Sequence, residues 1–443
     1  MKTAASSLKM AGHKMAPTAG ISNLPDELLV EILSYLTPQE IYRTVVHVCE
    51  RWRNIASDPS LWTNLTVHPE DLVARQDVEG HVECCKNDIA LIEVAKMTSL
   101  RLDALTLRVS NRIIVNRLIS DFKPAFPRLK HLDLKEIAID KTAFEKESKL
   151  PCLRSLSVAG ASLYHFYNLV DFRNIRHLRV DHLHNYRERL PDSEYTPNLL
   201  YLSQTCIHLE ELELYGAPLP DDVLESFLTN SRGRLKTLGL TIPCGKPFWV
   251  QAIEYNMSTS LVKLIIDQEP NFLEYFFGDI DLLGMRNLSS LKYLEFSVSV
   301  RGYYDNWNQA RLREFFHSST FIHLETLNVA NVRARGDVVL KSICTEFKFL
   351  KHLKISKWSG VSDAGIRAML SDCNYLETLE LRKLDTDFEV ETFAALPRTL
   401  RKLGLHFCGS MSYEFIIKIH NLHPALSLEY TLDAVLSVRG LFK

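Results

Sequence analysis

Glycine is scarce in this chain: 17 of 443 residues, about half the usual share of roughly 7%. Loops that cradle phosphate and tight catalytic turns rely on glycine's backbone freedom, so this weighs against a nucleotide-dependent enzyme. The phosphate-loop patterns GxGxxG and GxxxxGK[ST] are absent, as are the HExxH zinc motif and the GxSxG nucleophile elbow. An excess of one charge is also missing. Lys and Arg number 52 against 54 Asp and Glu, a formal charge of −2, which argues against a dedicated nucleic-acid binder. No run approaches the roughly 18 apolar residues of a membrane-spanning helix, so no membrane anchor is expected. The nine cysteines are odd in number and widely spaced, and no CxxC pair occurs. A disulfide framework and a structural zinc site therefore have no sequence support, and a reducing compartment, cytoplasmic or nuclear, is expected. The adjacent Cys84 and Cys85 read as neighbouring loop thiols, and His182 and His184 lack the further ligands a metal needs. No catalytic residue, cofactor or metal site is expected.

The apolar content, 46%, is ample for a core, and the length alone would allow about three domains. Residues 1–20 carry Lys2, Lys9 and Lys14 with no acid, and Gly12, Pro17 and Gly20 interrupt any helix, so a disordered tail is expected there. The stretch 21–67 then predicts three short helices. Pro25 suits a first helical position, Asp26 and Glu27 complement the dipole, and Leu28, Leu29, Ile32, Leu33 and Leu36 follow at helical spacing. Thr37, Pro38 and Glu40 form a capping box for a second helix bearing Ile41, Val45 and Val48. A third helix is expected over about 49–56 with Trp52 and Ile55 inward, followed by a turn at Asp58-Pro59-Ser60 and the anchors Leu61 and Trp62. About 45 residues cannot bury this much apolar surface alone, so part of it must pack on the rest of the chain or on a partner.

The runs LPDELLVEILSYL, VCERWRNIA and DPSLW, in this order and at this spacing, resemble an F-box. That resemblance implies docking on the Skp adaptor of an SCF-type cullin-RING ubiquitin ligase. The residues matching the adaptor-facing motif are Leu24, Pro25, Leu28, Ile32, Leu33, Leu36, Val48, Cys49, Trp52 and Trp62. Glu50 departs from the pattern, which usually has a basic residue there.

From residue 102 onward the pattern L-x-x-L-x-L recurs twelve times, from Leu102/Leu105/Leu107 to Leu400/Leu403/Leu405, with first positions 22 to 34 residues apart. A degenerate thirteenth unit is expected near Leu426 and Leu428. This is the leucine-rich-repeat pattern, so an α/β solenoid follows, its parallel sheet concave and its helices convex. Asp363 opens one amphipathic helix, and the parallel segment is 219–228. Cys206, Cys373 and Cys408 sit where the cysteine-containing repeats of F-box/LRR proteins carry theirs, and are expected as small buried residues. The expected organisation is thus a tail (1–20), an F-box (21–67), a linker or cap (68–101) and a leucine-rich-repeat domain (102–443).

Aromatics concentrate in three long inserts: Phe248 and Trp249; Phe272, Tyr275, Phe276 and Phe277; Tyr303, Tyr304 and Trp307. Convex-side packing is the favoured reading, with rim binding loops as the alternative. Residues alternating with the inward leucines face the concave side. Over the last units they are read as His352, Lys354, Lys357, Trp358, Arg382, Lys383, Lys402, His406 and Phe407, whereas Glu211, Glu213 and Glu295 lie earlier. Such a basic, aromatic face would receive an acidic or phosphorylated segment. By the resemblance, the chain would be a non-catalytic substrate-recognition subunit. A scaffold that binds the adaptor without substrate turnover is the second reading.

Overall fold

The structure, a computed structural model, describes residues 21–67, 75–76, 82–83, 102–107, 126–134, 149–163, 166–167, 169–183, 195–242, 247–268, 287–297, 313–317, 321–331, 336–409 and 411–432. The expected tail, Cys84 and Cys85, and the aromatics Phe272, Tyr275, Phe276, Phe277, Tyr303, Tyr304 and Trp307 lie outside them. Of the 68–101 linker, Arg75–Gln76 and Val82–Glu83 are described, paired as two short antiparallel strands.

Three helices open the chain: α1 (Asp26–Leu33), α2 (Pro38–Arg43) and α3 (Glu50–Ala56). Pro25 is the N-cap of α1, one residue earlier than expected, with Asp26 and Glu27 in the first turn. The capping box of α2 is complete. Thr37 Oγ1 accepts from Glu40 N at 3.3 Å, and Glu40 Oε2 accepts from Thr37 N at 2.7 Å. These bonds from Thr37 hold the Glu40 carboxyl below its ordinary pKa. Leu29, Leu33, Ile41, Val45, Ile55, Leu61 and Trp62 form the interior, and Trp62 Nε1 donates to Ala56 O at 2.7 Å.

The helices lead without a break into a fourteen-stranded, all-parallel sheet whose spatial order follows the chain. Its strands are β1 (Asn64–Val67), β2 (Ala104–Leu107), β3 (His131–Leu134), β4 (Ser155–Ala159), β5 (His177–Asp181), β6 (Glu211–Leu214) and β7 (Thr237–Ile242). They continue as β8 (Lys263–Gln268), β9 (Tyr293–Ser297), β10 (Thr326–Ala330), β11 (His352–Ser356), β12 (Thr378–Arg382), β13 (Lys402–His406) and β14 (Ser427–Thr431). Each of the twelve leucine patterns supplies one strand, and β14 is the expected degenerate unit. Strand β1, which the sequence pattern places at the end of the helical block, pairs with β2, setting Leu65 beside Leu105. Equivalent leucines stack in register along the sheet, as Leu353 beside Leu379 and Leu379 beside Leu403. Each is fully buried, contributing about 1.5–3 kcal/mol by transfer from water.

Convex helices close the other side: α4 (Tyr195–Thr205), α5 (Asp221–Asn230), α6 (Pro247–Met257), α7 (Gly336–Glu346), α8 (Asp363–Asp372) and α9 (Tyr413–Leu422). Trp249, from the first aromatic insert, packs inside α6 and donates to Asp221 Oδ1 at 2.8 Å. Phe315, Phe316, Phe321 and Phe347 form a further buried aromatic group. Cys206, Cys373 and Cys408 are buried, and burial pushes the Cys206 thiol up to about 12.

A repeated turn closes the strands. Two positions past the last inward strand residue stand His182, Asn331, Lys357, Lys383 and Phe407, with φ of 54°, 60°, 54°, 51° and 54°; Gly216 fills the same place at 107°. This left-handed backbone costs a non-glycine residue roughly 1–2 kcal/mol. In return the N–H of Asn331, Lys357, Lys383 and Phe407 donates at 2.8 Å to a carbonyl of the next repeat, extending the ladder beyond the strands.

Candidate functional sites: an apolar helical face and the concave sheet

The helical module exposes a continuous apolar face. Along α1 the alternate side of the stripe points outward: Leu28 is 45% exposed and Ile32 41%, while Leu36 and Val48 are also exposed. Pro25 and Cys49 are exposed beside them, and Leu24 and Trp52 are half-buried against the core. Arg51 fixes the entry to α1, its guanidinium donating to Leu24 O at 2.5 Å and to Asp26 Oδ1 at 2.9 Å through Nε. Two of the ten residues read as adaptor-facing, Leu33 and Trp62, lie inside the module. A stripe of consecutive leucines cannot show from spacing which of its edges faces inward, and the packing of α3 takes this one. Glu50 is exposed in the first turn of α3, next to the apolar face.

On the concave face the structure brings the basic C-terminal residues together but reshapes the group. Trp358 does not face the groove: it is 2% exposed, with Nε1 donating to Val329 O at 3.0 Å. It occupies the asparagine-or-cysteine position of the repeat consensus, three past Ile355, where the strand has ended and outward alternation no longer applies. Cys408 stands in the same place one repeat pair later and donates to Leu381 O at 3.3 Å.

The remaining basic residues meet carboxylates that the pattern reading left out. Glu380 accepts from Arg382 Nε and lies 3.7 Å from Lys354 Nζ and 3.9 Å from His406 Nε2. Lys402 pairs with Glu429 at 2.8 Å. Gly404 leaves room for this arrangement, since a Cβ there would lie 3.1 Å from Glu380 Cγ and 3.3 Å from His406 Nε2. His352 Nδ1 and His406 Nδ1 bond Thr378 Oγ1 and Thr431 Oγ1 at 2.6 and 2.9 Å. Burial and the nearby Arg382 lower the His406 pKa, so at neutral pH it adds no charge. Lys357 and Lys383 stand on the left-handed turns with no carboxylate in ion-pair range among the described residues, and Lys383 Nζ lies 5.7 Å from the Phe407 ring centroid. This group of concave residues therefore keeps a positive surplus, carried by the turn lysines and by two cations sharing Glu380.

A second concave region was not singled out from sequence. A cavity of about 660 Å³ spans β5 to β11, bounded by Arg179, Asp181 and Tyr215 at one end and Lys354 at the other. Arg179 donates to Asp181 through Nε and Nη2, each at 2.9 Å, and to Glu213 through Nη1. Burial works against the Arg179 charge, but the Asp181 and Glu213 carboxylates outweigh it and raise its pKa. Tyr215 lies over Gly239, where a Cβ would collide with its phenol, and its hydroxyl donates to Glu213 Oε2 at 3.2 Å. Burial, then the Glu213 charge, pushes the Tyr215 hydroxyl up. In the next units Tyr293 and Asn328 both donate to Glu295 Oε2, Asn328 at 3.0 Å. The sequence signal available was the Tyr215/Gly239 complementarity on adjacent strands, invisible until the repeats are aligned in register. Among the described residues no group of three His, Cys, Asp or Glu is placed to hold a metal ion, and no helix is long and apolar enough to cross a membrane.

Comparison with known proteins fits this division. The F-box-like family model matches residues 21–68. F-box/LRR-repeat protein 5 of Bos taurus is 26% identical over 186 residues, covering 31% of this chain and 27% of that protein. F-box protein SKIP19 of Arabidopsis thaliana is 26% identical over 242 residues, covering 51% of this chain and 71% of that protein. The match thus spans about a quarter of the bovine relative's length. Among solved structures, the complex of Rad7 and Elc1 in yeast aligns over 92% of this chain and 90% of that chain, at 13% identity and a TM-score of 0.36. The TLR13–ssRNA13 complex aligns over 80% and 40%, at 16% identity and a TM-score of 0.33. The protein is a small helical module mounted on a repeat solenoid. More particularly, residues 21–68 match an F-box-like domain, and the repeats that follow make the chain similar to F-box/LRR-repeat proteins.

Proposed function

We propose that the chain is the substrate-recognition subunit of an SCF-type ubiquitin ligase, acting in the cytoplasm or nucleus. The observation that carries this reading is the exposed apolar face of Leu28, Ile32, Leu36 and Val48 on a domain otherwise closed around its own core. Apolar surface gathered on one side of a small module is a partner's surface. Here the partner is a Skp-type adaptor, which links the chain to cullin and RING subunits. Leu24, Pro25, Cys49 and Trp52 extend the contact, and Leu33 and Trp62 hold the helices that present it. The concave face takes the protein to be ubiquitinated, and the positive surplus around Lys354, Arg382, Lys357 and Lys383 suits an acidic or phosphorylated segment. The chain performs no chemistry itself; it raises the effective concentration of substrate lysines near the conjugating enzyme.

Co-purification tests this. The double variant Leu28→Asp/Ile32→Asp removes exposed side chains and leaves the core intact, so it should lose the adaptor while its circular dichroism and melting remain those of the wild type. Adaptor binding retained in that variant would refute the docking surface. The same double variant expressed in cells then separates the two roles: a bound protein that accumulates with it is a substrate, and one whose level is unchanged marks a scaffold.

A further inference from the structure

The middle of the concave face has an unbalanced negative charge held in a prepared position. On β5, β6 and β8, Arg179 is shared by Asp181 and Glu213, and Lys263 Nζ lies 3.9 Å from Glu213 Oε1, while Asp267 adds a further carboxylate to the lining. Glu295, on β9, forms no ion pair among the described residues. Its Oε2 accepts from Tyr293 and Asn328, which fix the carboxylate; Glu295 lines the cavity, and its Oε1 has no hydrogen-bond partner among the described residues. The Tyr293 hydroxyl is not an alternative anion, since burial and then the Glu295 bond push its pKa up. Directly beside Glu295 in the strand register is Ile265, an apolar residue in the central column of the groove, half-exposed on its floor. Neighbouring strands lie about 4.8 Å apart. An aliphatic surface one strand from a fixed, uncompensated carboxylate matches one kind of side chain, a flexible methylene stem ending in a cation.

Resting on the reading of the concave face as the substrate-binding surface, we propose that this basin is a subsite for a lysine or arginine side chain of the bound protein. The stem lies on Ile265 and the cationic head binds Glu295 Oε1. Lys354 and Arg382, two and three strands further on, are then about 10–15 Å away and receive an acidic group of the same segment. The face is bipolar, and it reads a segment with a basic residue and an acidic one in a fixed direction. A lysine seated on Glu295 is shielded, so it serves recognition and is not the one conjugated.

The test is selection of a random displayed peptide library on the full-length chain, repeated on Glu295→Gln, Glu295→Lys and Ile265→Ser. Wild type should enrich peptides with Lys or Arg at one position. Glu295→Gln keeps an acceptor for Tyr293 and Asn328 and so preserves the floor, yet it should bind those peptides roughly tenfold more weakly. Glu295→Lys should exchange the basic preference for Asp or Glu at the same position, and Ile265→Ser should weaken binding without changing the preference. Enriched peptides that are acidic only, or a basic preference that survives unchanged in Glu295→Lys, would overturn the subsite. Adaptor binding retained in Leu28→Asp/Ile32→Asp, with the basic preference intact, would instead count against the docking surface alone.

Discussion

The helical module and the solenoid use the same residue in opposite ways. In the solenoid, strand leucines such as Leu212, Leu353 and Leu403 are buried, and the positions alternating with them are mostly polar, Ile265 being an exception. In the helical module, one edge of the leucine stripe is buried (Leu29, Leu33) and the other is presented (Leu28, Ile32). The difference follows from what each unit can cover. A stacked repeat always has a neighbour on both sides, whereas three short helices have too little bulk to enclose a full stripe. Apolar residues thus mostly fill the interior in one region and are partly left exposed in the other.

The sharpest way to break this contrast is to truncate one leucine in each region. Leu353→Ala should cost about 2–5 kcal/mol, read by denaturant unfolding, because its site is closed on all sides. Leu28→Ala should change folding by less than about 0.5 kcal/mol while weakening adaptor binding; a large folding loss there would erase the distinction. A smaller effect is expected at the polar seam of the solenoid. Trp358→Phe keeps the ring and removes the donor to Val329 O, so it should cost about 1–3 kcal/mol by the same measurement. A neutral result would show that the carbonyl finds another donor. In the opposite direction, Lys357→Gly should relieve the left-handed turn and raise stability by up to about 1 kcal/mol, offset in part by glycine's freedom in the unfolded chain. Destabilisation instead would mean that the lysine side chain supports the turn.

The solenoid was legible because its signal is redundant: twelve copies of one leucine spacing place each strand, and errors in one unit do not propagate. The F-box was legible because three sub-motifs occur in order. Individual side chains were harder. Alternation correctly puts Lys354, Arg382 and His406 on the concave side, but it fails at Trp358, where the strand has stopped and the chain turns inward. The same rule also places Glu380 and Glu429 on that face, and they temper the basic patch. The basin around Glu295 draws on residues from Arg179 to Lys354. Their proximity is set by strand register over several repeats, which no local spacing reports.

Strand β1 gives the proposed role a geometric character. Because Asn64–Val67 belongs to the sheet, the helices are not strung from a tether but set on the first rung of the ladder, sharing its apolar interior. A tethered reader samples a cloud of positions that widens with linker length. A reader built this way behaves like a jig: once the adaptor is gripped, the groove points in one direction. Which substrate lysines come within reach is then decided by the curvature of the solenoid and the pose of the bound segment, and swapping the number of repeats would move the target zone by whole strand spacings of about 4.8 Å.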